Sequence, residues 1–131
     1  MYEYAAQVVD VIDGDTVRLD VDLGFSIRQK MVLRLYGINT PELHGVKDPA
    51  PGRAAKDFLI GLLSNGGQGP AGGPISPNWK PVTIKTFKDG KDKYGRLLAL
   101  IFTDADPIPV NDKLIAAGHA KAYFGEGPKP V

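Results

Sequence analysis

From Thr16 to Leu23 apolar and polar residues alternate without a break: Val17, Leu19, Val21 and Leu23 share one face, Thr16, Arg18, Asp20 and Asp22 the other. A period of two is the mark of a strand with one buried face. The Val-rich run Tyr4–Ile12 precedes it, and Asp13-Gly14 between the two is strong hairpin punctuation, with Asp15 opening the returning strand. Leu23-Gly24-Phe25-Ser26 makes the next turn. Arg28–Tyr36 follows as a third strand, with Met31, Leu33 and Leu35 on the core side and Val32, Arg34 and Tyr36 on the side that is not purely core. The period then changes. Beyond an irregular loop, Ala55, Phe58, Leu59 and Leu62 recur at helical spacing and predict a helix from about Arg53 to Leu63. Pro81–Lys88 and the apolar run Leu97–Phe102 predict a fourth and a fifth strand. A second helix is expected from near Asn111, carrying Val110, Leu114 and Ala117 inward and Gly118 as its C-cap. His119–Phe124 reads as extended and Gly125–Val131 as a frayed tail.

A run of five strands interrupted by one helix is the element order of an OB-type Greek-key barrel, a fold whose sheet face and loops commonly take oligonucleotides. The Gly- and Pro-dense stretch Ser64–Pro77 reads as a surface excursion, because a strand follows it at once. It lacks the Gly-Lys-Ser/Thr ending and the strand-to-helix setting of a nucleotide-binding P-loop. With 131 residues, 43% of them hydrophobic, the chain suits one compact core, and residues 1–124 are expected to form a single domain. A formal net charge of +1 neither requires nor excludes a nucleic-acid partner, so that partner must be argued from a site. There is no cysteine, which excludes disulfide staples, thiolate zinc sites and thiol nucleophiles. The first residues lack the basic region and apolar run of a secretory signal, and no segment approaches membrane-spanning length, so a cytoplasmic protein without membrane partners is the expectation.

Three separated stretches carry candidate chemistry: Asp13-Gly-Asp-Thr16, Arg34-Leu-Tyr-Gly-Ile-Asn-Thr-Pro-Glu42 and Asp92-Lys-Tyr-Gly-Arg96. Arg matches phosphate oxygens bidentately and hard cations prefer oxygen ligands, so fixed carboxylates beside fixed guanidinium groups suit metal-assisted chemistry at a phosphate. A phosphodiester repels an anionic nucleophile; its hydrolysis therefore needs positive charge at the phosphate and a positioned water. Each residue alone also has an ordinary reading, as turn former, surface charge or packing aromatic. His44 and His119 have no zinc-ligand spacing and read as solvated loop residues.

In order and placement these stretches, together with the Val-Asn-x-x-Leu-x-x-x-Gly-x-Ala-Lys run from Val110 to Lys121, resemble the staphylococcal nuclease (thermonuclease) family over about Val8 to Tyr123. The resemblance implies a five-stranded OB-fold and a calcium-dependent endonuclease that hydrolyses DNA and RNA; the Tyr-lined OB face adds an expected preference for single strands. Residue by residue it implies that Arg34 and Arg96 hold the scissile phosphate, that Glu42 is the general base, and that Asp15 and the Thr40 carbonyl ligate Ca²⁺. Asp13 stands behind the metal, and Tyr94 and Tyr123 line the nucleotide pocket. One position departs from the pattern: the family's second aspartate ligand is Asn39 here, which offers a carbonyl oxygen but no charge, so a weaker metal site is expected. The family's longer members also continue into a C-terminal helix, whereas this chain reaches Val131 soon after Tyr123. The alternatives are a catalytically weakened module that binds single-stranded nucleic acid, and a structural or interaction barrel. A monomer or weak homodimer is expected.

Overall fold

A computed structural model of the protein describes residues 2–65, 78–91 and 96–123, without the side chains of 88–91. The alternating runs become strands β1 (Tyr2–Asp13), β2 (Thr16–Gly24) and β3 (Ile27–Leu35), joined as antiparallel neighbours. A two-residue strand β4 (Ile38–Asn39) and helix α1 (Ala50–Leu63) follow, then β5 (Pro81–Lys91), β6 (Leu97–Thr103), helix α2 (Val110–Ala116) and a second two-residue strand β7 (Lys121–Ala122). The five long strands close into a barrel in the order β1-β2-β3-β6-β5. Closure runs through a parallel joint, Leu33–Leu35 of β3 against Leu97–Ala99 of β6, and this Greek-key barrel with two helices is the expected OB-type fold. Among the described residues no helix is long and apolar enough to cross a membrane.

The core follows the alternation. Val17, Leu19 and Val21 of β2 and Leu33 and Leu35 of β3 are fully buried against Ile84, Ile101, Leu59 and Leu114. Leu23 shares their face in the sequence but is exposed, because it stands where the β2–β3 hairpin runs past the barrel rim toward the solvated tip at Phe25. Helix α1 begins at Ala50, three residues before the expected start. Pro51 lies in its first turn, where the missing N–H has no intrahelical partner to lose. Its buried stripe is Gly52, Ala55, Leu59 and Leu63, with Phe58 and Leu62 partly covered. Helix α2 stops at Ala116, which leaves the expected core residue Ala117 exposed as the C-cap, while Gly118 takes the left-handed conformation at φ 82°. The extended tail is real at Lys121–Ala122, which pair with Asn39 and Ile38 of β4; Tyr123 N–H then donates to the Gly37 carbonyl at 2.8 Å. The expectations for the Gly-rich excursion from residue 66 to 77 and for the tail from 124 onward lie outside the described residues.

Asn111 takes the inward place on α2. Its Oδ1 accepts from Ile101 N–H at 3.2 Å, and its Nδ2 donates to the Tyr36 carbonyl at 2.9 Å and the Ala99 carbonyl at 3.1 Å. One amide side chain thus ties the end of β3 to the middle of β6, the strands that Arg34 and Arg96 belong to or border. Asn111→Leu would take the acceptor from the buried Ile101 N–H and one donor from each of the Tyr36 and Ala99 carbonyls, the latter keeping the Tyr36 N–H, so a loss of about 1–3 kcal/mol in urea unfolding is expected.

Candidate functional site

The β1–β2 turn and the end of β3 meet at one end of the barrel. Thr16 stands opposite Arg34 in the β2–β3 register, and Leu35 N–H donates to the Asp15 carbonyl at 2.8 Å. Asp13-Gly14 does form the turn, but β2 begins at Thr16, and neither Gly14 nor Asp15 has positive φ. Glycine is needed at position 14 for space. A Cβ there would lie 2.8 Å from Ala55 Cβ and 2.9 Å from Thr40 Oγ1. Helix α1 and the Thr40 loop therefore press directly on the turn that presents Asp15.

Arg34 is buried, 8% exposed, although the alternation puts it on the side of β3 away from Leu33 and Leu35. Polar partners cover it. Its Nη1 donates to the Ile38 carbonyl at 3.1 Å, and its Nη2 donates to Asn39 Oδ1 at 3.2 Å and sits 3.3 Å from Asp15 Oδ2. Asp15 Oδ2 also accepts from Thr40 N–H at 3.3 Å, while Oδ1 accepts from the Thr16 hydroxyl at 3.1 Å. That hydroxyl in turn accepts from Arg96 Nη1 at 3.5 Å, bringing the guanidinium from the start of β6 to the same place. Asp15, Arg34, Asn39, Thr40 and Arg96 are thus one connected network. Thr16 is the member that sequence reasoning missed: it reads as a residue of the polar face of β2, yet it is 3% exposed and links Asp15 to Arg96. Its position directly after Asp15 and opposite Arg34 was the available signal.

Asp13 closes the turn by accepting Asp15 N–H at 3.1 Å. Burial first, then the hydrogen bond and charge of the neighbouring Asp15 carboxylate, push its pKa up from 3.8 to about 6. For Asp15 burial acts in the same upward direction, but the hydrogen bond from Asp13, the Arg34 guanidinium, Thr40 N–H and the Thr16 hydroxyl outweigh it and hold the carboxyl below its ordinary value. The folded protein therefore keeps the Asp13 proton between pH 3.8 and about 6, where the unfolded chain has released it. The stability this group contributes falls as pH rises through that window. Asp13→Asn keeps the acceptor for Asp15 N–H and cannot ionise. Its melting temperature relative to wild type, measured in chelator, should rise between pH 3.8 and about 6 and level off above that.

Glu42 stands apart. It is exposed, and its carboxylate makes no hydrogen bond or ion pair among the described residues. Its backbone, however, is fixed: a Cβ on Gly52 would lie 2.5 Å from the Glu42 carbonyl oxygen, so the first turn of α1 rests on that peptide. Tyr123 is half buried beside β7, and Tyr94 lies outside the described residues. Half-exposed Tyr36 and Phe87 pack at 4.4 Å between ring centroids, an aromatic pair that sequence spacing did not reveal. Among the described residues no three His, Cys, Asp or Glu side chains are grouped to hold a metal. The donors gathered around Asp15, the Asn39 carbonyl oxygen and Thr40, are nonetheless hard oxygens of the kind calcium accepts, with one formal negative charge from Asp15.

Comparison with known proteins agrees with this geometry. Residues 78–130 match the family model described as staphylococcal nuclease homologue. The chain is 32% identical over 124 residues to a thermonuclease of Staphylococcus hyicus, covering 93% of this chain and 61% of that protein. It is 33% identical over 116 residues to a thermonuclease of Staphylococcus intermedius, covering 87% and 56%. Endonuclease YhcR of Bacillus subtilis strain 168 is 30% identical over 129 residues, covering 93% of this chain and 9% of that much longer protein. The chain thus spans about three fifths or less of the length of these relatives.

Proposed function

Because this chain belongs to the staphylococcal nuclease family, we propose that it is a calcium-dependent endonuclease that hydrolyses phosphodiester bonds of DNA and RNA, with single strands preferred. The observation that carries the proposal is the buried network in which Asp15, Arg34 and Arg96 converge from three parts of the barrel. Arg34 and Arg96 offer two guanidinium groups to the equatorial oxygens of a phosphate, where negative charge grows as the water attacks. Glu42, whose backbone is held against Gly52 and whose carboxylate is in solvent, would take the proton of that water. Tyr123, and Tyr94 two positions before Arg96 in the sequence, are the proposed platforms for unstacked bases, which favours single-stranded substrate. Asp15, Asn39 and the Thr40 carbonyl would hold a calcium ion, which when bound adds positive charge beside the phosphate. Asp13 supports Asp15 from behind.

Cleavage of heat-denatured DNA tests the proposal. Activity should stop in chelator and return with added Ca²⁺; persistent activity in chelator would sink the calcium requirement. Asn39→Asp restores a second carboxylate, and since calcium affinity is tuned by ligand charge it should lower the calcium concentration for half-maximal rate by roughly tenfold. An unchanged or higher midpoint would show that residue 39 does not contribute to metal binding.

A further inference from the structure

We propose that the flank of α1 carrying Arg53 and Lys56 is a docking track for the phosphates of the nucleic-acid strand on one side of the scissile bond; this rests on the nuclease reading above. The first two turns of α1 lie on the loops that form the site. Ala55 abuts Gly14 and Thr40, and Gly52 abuts the carbonyl oxygens of Pro41 and Glu42, so closely that a Cβ on Gly52 would lie 2.9 Å and 2.5 Å from them. With 3.6 residues per turn, going round the helix from Ala55 through Gly52 leads next to Lys56 and then to Arg53. Both cations therefore follow the Glu42 side of the helix, Lys56 half buried and Arg53 exposed.

Helix physics disfavours both placements. Arg53 and Lys56 are like charges at i and i+3, neighbours on the helix surface. Arg53 also closes a first turn that holds no acidic residue, at the end where the helix dipole opposes a cation. Among the described residues neither is in an ion pair, although Asp57 follows Arg53 by one turn. Two neighbouring like charges, without an ion pair among the described residues and on the flank of the helix nearest the Glu42 backbone, suit a ligand that supplies repeated negative charge. A phosphodiester backbone does so, and Lys and Arg bind it by displacing its counterions without reading sequence.

The test is the salt dependence of binding to a labelled single-stranded oligonucleotide, measured in chelator so that the strand stays intact. Arg53→Gln/Lys56→Gln should bind roughly tenfold more weakly at low salt, and the slope of log affinity against log salt should shrink by about 1.4, the loss of two single-strand phosphate contacts. A control pair, Arg28→Gln/Lys30→Gln, removes the same charge on exposed β3 positions near the β2–β3 turn, away from the Thr16–Arg34 end of the barrel. It should leave the slope unchanged. The melting temperature of the α1 variant should equal or exceed that of wild type. An unchanged slope in the α1 variant, an equal loss in the control pair, or a lower melting temperature would overturn the track while leaving the nuclease reading standing. Wild-type protein that neither binds nor cuts any single strand would overturn both.

Discussion

Arg34→Ala is expected to lower single-turnover cleavage of single-stranded DNA by about 10²–10³-fold and to cost about 3–5 kcal/mol of stability. The two losses have one source. Arg34 is 8% exposed and touches Asp15 Oδ2, Asn39 Oδ1 and the Ile38 carbonyl, so truncation removes a phosphate donor and strands a buried carboxylate without its cation. Arg34→Lys separates them. An ammonium keeps the charge beside Asp15 but loses the planar fork that matches phosphate, so cleavage should fall while urea unfolding moves much less. Equal cleavage by wild type and Arg34→Ala would remove Arg34 from the chemistry.

Glu42→Ser should lower the cleavage rate by about 10²–10⁴-fold, the range that a positioned general base contributes. Here stability and chemistry come apart. The Glu42 side chain is exposed and makes no hydrogen bond or ion pair among the described residues, so its removal should leave the melting temperature within about a degree of wild type. Its single-strand affinity should likewise be kept, because phosphate attraction is assigned to the cations Arg34, Arg96, Arg53 and Lys56 and not to Glu42. A variant that cuts at the wild-type rate would show that the proton goes elsewhere.

The barrel was legible because its strands obey period two: Val17, Leu19 and Val21 point inward as the alternation requires. The same rule misjudged the site. It assigned Thr16 and Arg34 to polar or mixed faces, yet both are buried, because the Asp15 turn and the Thr40 loop cover that end of β2 and β3 with polar groups that alternation does not register. Asp15, Asn39, Thr40 and Arg96, which only the family resemblance grouped, stand in one hydrogen-bond network, whereas Glu42 remains outside it. Helix ends failed for local reasons. The helix expected only from about Arg53 starts at Ala50, because its first turn accepts Pro51, and Ala117, expected in the core, is exposed because α2 ends one residue earlier. Asn111 illustrates the remaining gap: a polar residue in a helix looks solvated until the strands it ties together are in place.

The central claim is that the Asp15–Arg34–Arg96 network cleaves nucleic acid as well as binding it. The most direct test is one labelled single-stranded oligonucleotide followed with wild-type protein for binding and for cleavage, across a calcium titration. Salt-sensitive binding together with calcium-dependent cleavage is expected. Binding without turnover at any calcium concentration would contradict it, and would make this barrel a single-strand-binding module built on a nuclease frame.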